Sequence, residues 1–307
     1  MVNGGPRDVD VDLFIARSFY NLHRSETSRS FYFTLCRRRS GVALGAAHFH
    51  EAEPGDFRSP HRGSFGGFSL VRGADEPLST LERFAAVVTS FLQAHGARHI
   101  TVVLPPLAYH PPETSAWINV LLRSGYSLAN HELNYAVEVA GAFVTRIDHG
   151  NRKQLKKCER AGLLSHALPR AEYADAYNVI AESRRKKGRV PSMTWPALSA
   201  MCDALPDHVN CFGVRRDDVL IAAAICVAVN SAILYVFYWG EIAGVENLSP
   251  VTFLAQHVYN HCLEQQISLL DLGTSTINGI PDHGLIRYKK HLGCSETLKL
   301  TLRWTAA

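Results

Sequence analysis

Two polar groups near the carboxyl end of this sequence combine residue types that could act on a substrate. Asp271 lies near the end of an apolar run at 268–272, and a Gly-Thr-Ser sequence that ends at Ser275 follows this run. A carboxylate at the carboxyl end of a strand lies where α/β folds place ligands. It could accept a proton from an attacking amine or orient a nearby cation, and Ser275 could hydrogen-bond a substrate. Alternatively, both residues have a structural role, in a turn or as a helix cap.

Tyr288 and Lys289 stand together in the segment 283–291, which has helical spacing. An ammonium held against an aromatic ring by a cation–π contact can stabilise the oxyanion that forms when an ester or thioester is attacked. His283, at the start of the segment, is a second candidate base near neutral pH. The alternative is a solvated lysine pair on a short helix.

Aromatic and basic residues surround this region in the sequence. Tyr238 and Trp239 end an apolar strand, where they could form the wall of a donor channel or pack in the core. Arg184 and Lys187 belong to a run of four cations at a helix end, where they could bind phosphate or complement the helix dipole. A second basic group has the spacing of one helix face and could bind the phosphates of a nucleic acid or a diphosphate, or remain a solvated face: Lys153, Lys156, Lys157 and Arg160.

The composition is that of a globular protein of ordinary charge. Apolar residues make up 47% and charged residues 20% of 307 residues, a length that suits two domains. A net charge of +4 is too small to indicate a dedicated nucleic-acid binder. No P-loop, Rossmann or G-x-S-x-G motif is present, so kinase, dehydrogenase and hydrolase functions have no support.

Cysteine usage and hydropathy indicate a cytoplasmic location. The seven cysteines form no C-x-x-C pair, which favours free thiols in a reducing compartment, and the histidines lack the spacing of a metal site. The first eight residues are polar and do not resemble a signal peptide. The most apolar stretch, 219–229, is too short to span a bilayer.

The pattern of apolar residues predicts two halves of similar organisation. In the first half, strands alternate with helices; the strands are expected at 31–37, 42–49, 99–104 and 126–139 and the helices at 78–94 and 115–123. In the second half, three consecutive strands with tight links predict an antiparallel meander at 210–215, 219–229 and 231–238. Helices are expected around it at 151–161, 171–187, 195–204, 250–265 and 283–291, and short strands at 268–272 and 297–304. The sequence predicts an α/β fold with a mixed sheet and two domains, 1–146 and 147–307.

Four stretches of the second half resemble the Fem-type aminoacyltransferases of the GNAT-like acyltransferase superfamily. They are YNVIAESRRKKG at 177–188, AAAICVAVNSAILYVFYWG at 222–240, LDLGTS at 270–275 and HGLIRYKKHLG at 283–293. Their order and spacing match the family, with Tyr288 where phenylalanine is usual. The first half resembles the family only in its general pattern.

The resemblance implies two tandem GNAT-like domains, with most of the acceptor site in the first domain and the activated donor held by the second. It implies an aminoacyl-tRNA donor and an amine acceptor such as a peptide, a cell-wall precursor or a small metabolite. No tightly bound cofactor and no covalent intermediate are expected. The motif lysine, implicated near the reacting carbonyl, corresponds to Lys289, and its aromatic neighbour to Tyr288.

Coenzyme A is the donor that the sequence disfavours. Acetyl-CoA-dependent members of the superfamily cradle the pyrophosphate with a glycine-rich loop after the long central strand. Here the corresponding segment, 241–250, has one glycine and two acids, Glu241 and Glu246. We expect an acyltransferase that uses aminoacyl-tRNA. Two alternatives remain: an N-acyltransferase that uses acyl-CoA or acyl carrier protein, and a non-catalytic binding protein with this fold.

Overall fold

A computed structural model describes residues 9–306, which form two compact units. The first unit comprises residues 9–133, 276–280 and 297–306, and the second comprises 134–275 and 281–296. The expected division at 146/147 does not coincide with these units. One reason is that the last strand pairs with a strand of the first unit, from Thr301 opposite Val103 to Thr305 opposite His99. The polar segment 1–8 lies outside the described residues.

The predicted helices and strands occur in the predicted order, together with short helices and strands that the pattern did not predict. In chain order the helices are α1 (Arg17–His23), α2 (Leu78–Ala94), α3 (Pro111–Arg123), α4 (Phe143–Arg146), α5 (His149–Arg160), α6 (Tyr173–Lys186), α7 (Trp195–Ala204), α8 (Pro250–Glu264) and α9 (His283–His291). The strands are β1 (Ser30–Cys36), β2 (Ala43–Glu53), β3 (Asp56–Ser59), β4 (Gly67–Leu70), β5 (His99–Val103), β6 (Ser127–Glu138), β7 (Leu164–Ala167), β8 (Val209–Arg216), β9 (Val219–Asn230), β10 (Ile233–Glu241), β11 (Leu269–Thr274), β12 (Thr276–Ile277), β13 (Ile280–Pro281) and β14 (Ser295–Thr305).

The first unit packs α2 and α3 against a mixed sheet. β1, β3 and β4 pair antiparallel with β2, while β3 pairs parallel with β5. The apolar residues of α2 recur at helical spacing, so that Leu81, Phe84, Val88 and Leu92 are all buried in one core with Trp117 of α3. α3 begins four residues before its predicted start because Pro111 and Pro112 favour the first helical turn.

The second unit is built on the predicted meander of β8, β9 and β10. These strands pair antiparallel, and β7 adds to the outer side of β8. β9 is an almost continuous run of small apolar residues and is buried on both faces, with α6 and α8 packed against the meander. The mixed α/β sheet and its flanking helices confirm the predicted fold class.

β10 and β11 run parallel over only part of their length. Three consecutive residue pairs join them, from Ile233 opposite Leu269 to Tyr235 opposite Asp271. β10 continues to Glu241, three residues beyond its predicted end, without β11 as a neighbour, and a bulge interrupts its pairing with β9 after Val236. The two strands therefore diverge at their carboxyl ends, where parallel strands place ligand sites.

Two further findings concern the chain as described. Cys36 is exposed, whereas the other six cysteines are buried, and all seven are free thiols, as predicted. No helix within residues 9–306 combines the length and apolar character needed to cross a membrane.

Candidate active site

A cavity of about 790 Å³ opens in the second unit beside the end of β10. Its wall is formed by the amino ends of α5, α8 and α9, the carboxyl end of α6 with the residues that follow it, and the last three residues of β10. This volume falls within the range of pockets that hold a substrate or cofactor. The sheet brings these ends together because β10 projects beyond β11 and leaves the space above its last residues open.

Trp239 and Tyr288 form the aromatic part of the wall. Their ring centroids lie 6.0 Å apart at 64°, an edge-to-face arrangement. Tyr238 faces away, since neighbouring strand residues point to opposite sides of the sheet. Its hydroxyl contacts Ser192 Oγ at 2.5 Å and accepts a hydrogen bond from the Met193 N–H at 3.0 Å. That Trp239 contacts a substrate stays a prediction. The Tyr238 side chain packs in the core instead of lining the cavity.

Gly240, also on the wall, lets α6 approach β10 closely. A Cβ atom added to Gly240 would lie 2.6 Å from Ser183 Cβ and 3.4 Å from Ile180 Cα. We therefore expect Gly240→Ala to lower the free energy of unfolding by about 1–3 kcal/mol, measured by urea denaturation. Gly150→Ala is the matched control in the same wall, because its Cβ would meet no atom closer than 3.4 Å and alanine favours the helix. Equal stability of the two variants would contradict this packing.

Lys289 does not line the cavity but is buried behind it, 2% exposed. Its Nζ donates hydrogen bonds to the carbonyl oxygens of Gly273 at 2.8 Å and Thr274 at 2.9 Å, at the end of β11. Burial lowers the pKa of Lys289 from 10.5 to about 8, and the nearby Asp271 carboxylate opposes this shift. The ammonium lies 5.7 Å from the ring centroid of Tyr135, so Tyr135 makes the cation–π contact that we expected from Tyr288.

Asp271 organises the turn that holds Lys289. Its Oδ1 accepts hydrogen bonds from Asn134 Nδ2 at 2.8 Å and from the Gly273 N–H at 2.7 Å. Gly273 has φ +77°, a backbone conformation that favours glycine, and an added Cβ would lie 3.3 Å from the Tyr235 ring. Asp271 therefore holds the turn whose carbonyl groups bind Lys289, and its predicted functional role stays a prediction.

Ser275 and His283 have different positions relative to this cluster. Ser275 is buried, and its hydroxyl has no hydrogen-bond partner in the described structure. His283 is exposed at the first position of α9 and lies outside the cavity wall. A base at this position would therefore act outside the enclosed part of the site. Asp282 caps the same helix by accepting a hydrogen bond from the Leu285 N–H.

Of the predicted basic residues, Lys187 lines the cavity and the others lie outside its wall. Lys187 is exposed and on its wall, while Arg184 packs its guanidinium over the Tyr238 ring at 4.6 Å. The basic stripe on α5 is exposed along the helix, and one member, Lys157, donates to the Asn247 carbonyl at 2.6 Å: Lys153, Lys156, Lys157 and Arg160. The opposite face of α5 contributes Asn151 and Gln154 to the cavity wall.

Glu241 closes the amino end of α8 and was not among the predicted site residues. Its half-buried carboxylate accepts a hydrogen bond from the Val251 N–H, and burial raises its pKa. Pro250 has no N–H, and the Thr252 N–H donates to the Ser249 carbonyl at 3.0 Å. The first three residues of α8 therefore offer no free N–H group to a ligand.

Sequence reasoning also missed Gln154 and Asn134. Gln154 follows Lys153 in a segment that looks wholly solvated, and Asn134 lies 137 residues from the Asp271 carboxylate that it binds. Glu241 carried a usable signal, since an acid stood where acetyl-CoA-dependent members of the superfamily have their glycine-rich loop. The other two became visible only through the packing of distant segments.

Comparisons with known proteins agree with this architecture. Residues 149–290 match the family model described as the acetyltransferase (GNAT) domain. No curated protein sequence matches the chain. The crystal structure of FemX is 10% identical, superposes with a TM-score of 0.76 and is matched over 97% of this chain and 93% of that chain.

Two further solved structures share the fold over nearly their whole length. L-PGS from Bacillus licheniformis is 8% identical with a TM-score of 0.61, covering 98% of this chain and 95% of that chain. A tandem GNAT protein from the clavulanic acid biosynthesis pathway is 11% identical with a TM-score of 0.54, covering 92% and 85%. At these identities the likeness establishes the fold.

The matched domain and the diverging central strands define an acyltransferase domain of the GNAT type. Residues 149–290 therefore match a GNAT-type domain, and the fold of the chain is similar to those of FemX and of the tandem GNAT protein. The predicted resemblance is confirmed.

Proposed function

We propose that the second unit transfers an aminoacyl group from the 3′ end of a tRNA to an acceptor amine. The amine nitrogen attacks the ester carbonyl, an amide bond forms and the ribose oxygen leaves with a proton that the amine loses. No covalent bond to the protein is needed. The fold shared with FemX supports aminoacyl transfer in general, as does the fold shared with the C-terminal domain of a putative lysylphosphatidylglycerol synthetase from Agrobacterium fabrum. The latter is 11% identical with a TM-score of 0.59, covering 94% of this chain and 88% of that chain.

The observation that carries this proposal is the closed amino end of α8. A helix amino end with free N–H groups is the usual site for a pyrophosphate. Here the carboxylate of Glu241 takes the Val251 N–H and places negative charge at that position, while Pro250 offers no donor. A donor that carries its phosphates into the cavity, such as coenzyme A, is therefore disfavoured. An aminoacyl ester carries no phosphate group into the part of the cavity beside the amino end of α8.

The charges of α5 fit a tRNA that stays outside the cavity. One face of α5 lines the cavity through Asn151 and Gln154, and the other presents Lys153, Lys156 and Arg160 to solvent. Phosphates of the tRNA would contact this basic face, and contacts of this kind supply affinity independent of sequence.

The proposed role of Lys289 is electrostatic stabilisation of the charge that develops on the reacting carbonyl. Two of its three N–H groups bind the Gly273 and Thr274 carbonyls, which fixes the ammonium in a site of low polarity. From behind the cavity wall, the charge of this ammonium would stabilise the oxyanion and the leaving ribose oxygen through space. A fixed cation in such surroundings needs no reorganisation when the oxyanion forms.

The tRNA contact can be tested by equilibrium binding of aminoacyl-tRNA to the full-length protein across a salt series. We expect Lys153→Ala, Lys156→Ala and Arg160→Ala combined to weaken binding about tenfold or more and to lower the salt slope by roughly 2, at about 0.7–0.9 per lost phosphate contact. The matched control removes three exposed cations of the first unit, Arg38, Arg39 and Arg83. An equal loss in both triple variants would contradict the specific role of α5, and binding of acetyl-CoA without tRNA would contradict the proposed donor.

A further inference from the structure

We infer that the outer edge of β1 in the first unit binds an extended segment of a partner protein, which adds to the sheet as an antiparallel strand. The segment has acidic residues at its amino end, followed by apolar residues at every second position. This inference goes beyond the transfer reaction and concerns a different unit of the chain. Three features carry it: the open edge of β1, the apolar groove beside that edge and the arginines at one end of the groove.

The two units share an order of strands and helices, which shows what the edge of β1 lacks. Apart from β4, the first unit has three antiparallel strands, β1 to β3, then α2, and then β5 parallel to β3. The second unit has three antiparallel strands, β8 to β10, then α8, and then β11 parallel to β10. β1 therefore corresponds to β8. β7 pairs antiparallel with the outer edge of β8, whereas within residues 9–306 β1 pairs with β2 alone.

The backbone of β1 can form a second ladder on its outer side. The Glu51 N–H donates to the Arg29 carbonyl at 2.9 Å, and bonded positions alternate along an antiparallel pair, so the odd-numbered residues bond to β2. The N–H and C=O groups of Thr34, which is exposed, therefore point away from β2. Edge strands are commonly protected by charged residues or proline, and β1, with the sequence SFYFTLC, contains neither.

An apolar groove of about 500 Å³ lies between this edge and α2. Phe33 and Leu35 of β1 form one side of the groove, and Phe84, Val87 and Val88 of α2 form the other. Val87 is 65% exposed although it belongs to this apolar wall. Because side chains alternate along a strand, every second residue of an added strand would enter the groove and cover these surfaces.

The direction of α2 places one of its cations toward the end of β1. The Phe91 ring, near the carboxyl end of α2, lies 5.0 Å from the Phe31 ring and 5.3 Å from the Phe33 ring, near the start of β1. α2 therefore runs antiparallel to β1. Arg83, two helical turns before Phe91, lines the groove toward the end of β1.

Three guanidinium groups and one carboxylate line this end of the groove. Glu76 pairs with Arg37 at 3.1 Å, whereas Arg38 and Arg83 are exposed and form no ion pair within the part of the chain that the structure describes. The amino end of an antiparallel added strand lies beside the end of β1, so acidic residues there would meet these two arginines. A second copy of β1 contains no acidic residue and is preceded by Arg29, so it does not supply this charge.

A designed peptide, DEVTFTV with a fluorophore at its carboxyl end, tests the docking by fluorescence anisotropy on the full-length protein. We expect saturable binding. Two further peptides carry N-methyl groups on complementary sets of alternate residues. Because alternate N–H groups of an added strand face β1, one of these peptides should bind at least about tenfold more weakly and the other should bind like the parent. The reversed peptide, VTFTVED, should also bind at least about tenfold more weakly, because its acids lie at the wrong end.

Two variants of the protein test the groove itself. Arg38→Glu combined with Arg83→Glu should weaken binding of the parent peptide at least about tenfold, since two attractive charge pairs become repulsive. Thr34→Pro removes an N–H that faces away from β2 and should weaken binding by a similar factor. The matched control, Arg216→Glu combined with Arg287→Glu, changes two exposed arginines of the second unit and should keep full affinity.

Several results would overturn the inference. They are no saturable binding of the parent peptide, equal binding of the two N-methylated peptides, and equal binding of the reversed peptide. An equal loss in both double variants would also overturn it, because binding would then follow the net charge of the protein. Analytical ultracentrifugation provides the last outcome: a dimer of the unaltered protein that Thr34→Pro dissociates would assign the edge to a second copy instead of a partner segment.

Discussion

Lys289→Met should reduce the rate of aminoacyl transfer by about 10²–10³-fold, the usual effect of removing one oxyanion-stabilising group. The methionine keeps the length of the side chain and removes the charge from the buried position. Lys290→Met, the exposed neighbour whose Nζ pairs with Glu296 at 2.7 Å, is the matched control and should keep full activity. Both rates are measured with saturating donor and acceptor.

The stability of Lys289→Met separates a catalytic loss from unfolding. Lowering the pKa of Lys289 from 10.5 to about 8 corresponds to about 3 kcal/mol of desolvation cost at neutral pH, which the substitution relieves. Two carbonyl groups lose their partner, at about 1–3 kcal/mol each. We therefore expect a net change of no more than about 2–3 kcal/mol in the free energy of unfolding. Near-normal transfer by the variant would show that Lys289 acts only as a structural contact.

The pH dependence provides a second readout for Lys289. Transfer that needs the protonated lysine should decrease above about pH 8, because the native ammonium then loses its proton. The stability changes in the opposite direction. Between about pH 8 and 10.5 the unfolded chain binds the proton that the native protein has lost, so the free energy of unfolding contributed by this group increases with pH. A merely structural lysine would give the stability effect without the loss of transfer.

Acid should destabilise the first unit by several kcal/mol. Burial lowers the pKa of His48 to about 4 and that of His50 to about 3. The unfolded imidazoles take up protons near pH 6.5, whereas the native ones stay neutral, so stability is lost as the pH falls from about 6.5 toward 4. Each imidazole contributes up to about 1.4 kcal/mol per pH unit in that window.

The packing around these two imidazoles explains why they stay neutral. The rings of His48 and His50 lie 5.3 Å apart, and the Tyr20 ring covers both. His48 Nε2 hydrogen-bonds to the Phe14 carbonyl at 2.8 Å, which opposes the shift in its pKa only partly. His23 and His61 also raise the cost of charging His50, and Glu26 acts in the opposite sense.

Urea denaturation at pH 7.0, 5.5 and 4.5 measures this effect. His50→Phe should flatten the pH dependence by up to about 1 kcal/mol per pH unit, because it removes one titrating group and keeps an aromatic ring among the others. His149→Gln replaces an exposed histidine of α5 and should leave the wild-type dependence unchanged. If the free energy of unfolding changed equally with pH in the wild type, His50→Phe and His149→Gln, the buried imidazoles would not determine the stability in acid.

The sequence was sufficient to predict the elements whose periodicity is strong and local. α2, α7 and α9 have the predicted bounds, and the meander of β8 to β10 has the predicted pairing. These elements depend on the spacing of apolar residues and on tight turns, both of which are visible within about twenty residues. The pairing of β14 with β5 joins residues about 200 positions apart, and no local pattern indicates it.

The candidate site shows the same division between local and long-range information. The motif that contains Tyr288 and Lys289 indicated the region, and Asp271 lies near Lys289 as expected. The direction of each side chain required the folded backbone. It places Tyr238 in the core and Trp239 on the cavity wall, and it gives Lys289 two carbonyl partners at the end of β11. The hydrogen bond from the Val251 N–H to Glu241 depends on how β10 and α8 lie relative to each other, which no local sequence pattern indicates.

The most direct measurement of the donor uses hydroxylamine as a small acceptor amine. The full-length protein is incubated with hydroxylamine and either mixed aminoacyl-tRNA or acetyl-CoA, and hydroxamate formation is followed. We predict formation from aminoacyl-tRNA above the uncatalysed rate, lost in Lys289→Met and retained in Lys290→Met, and formation from acetyl-CoA at the uncatalysed rate alone. Hydroxamate formed from acetyl-CoA and not from aminoacyl-tRNA would contradict the account and show that the closed end of α8 does not exclude coenzyme A.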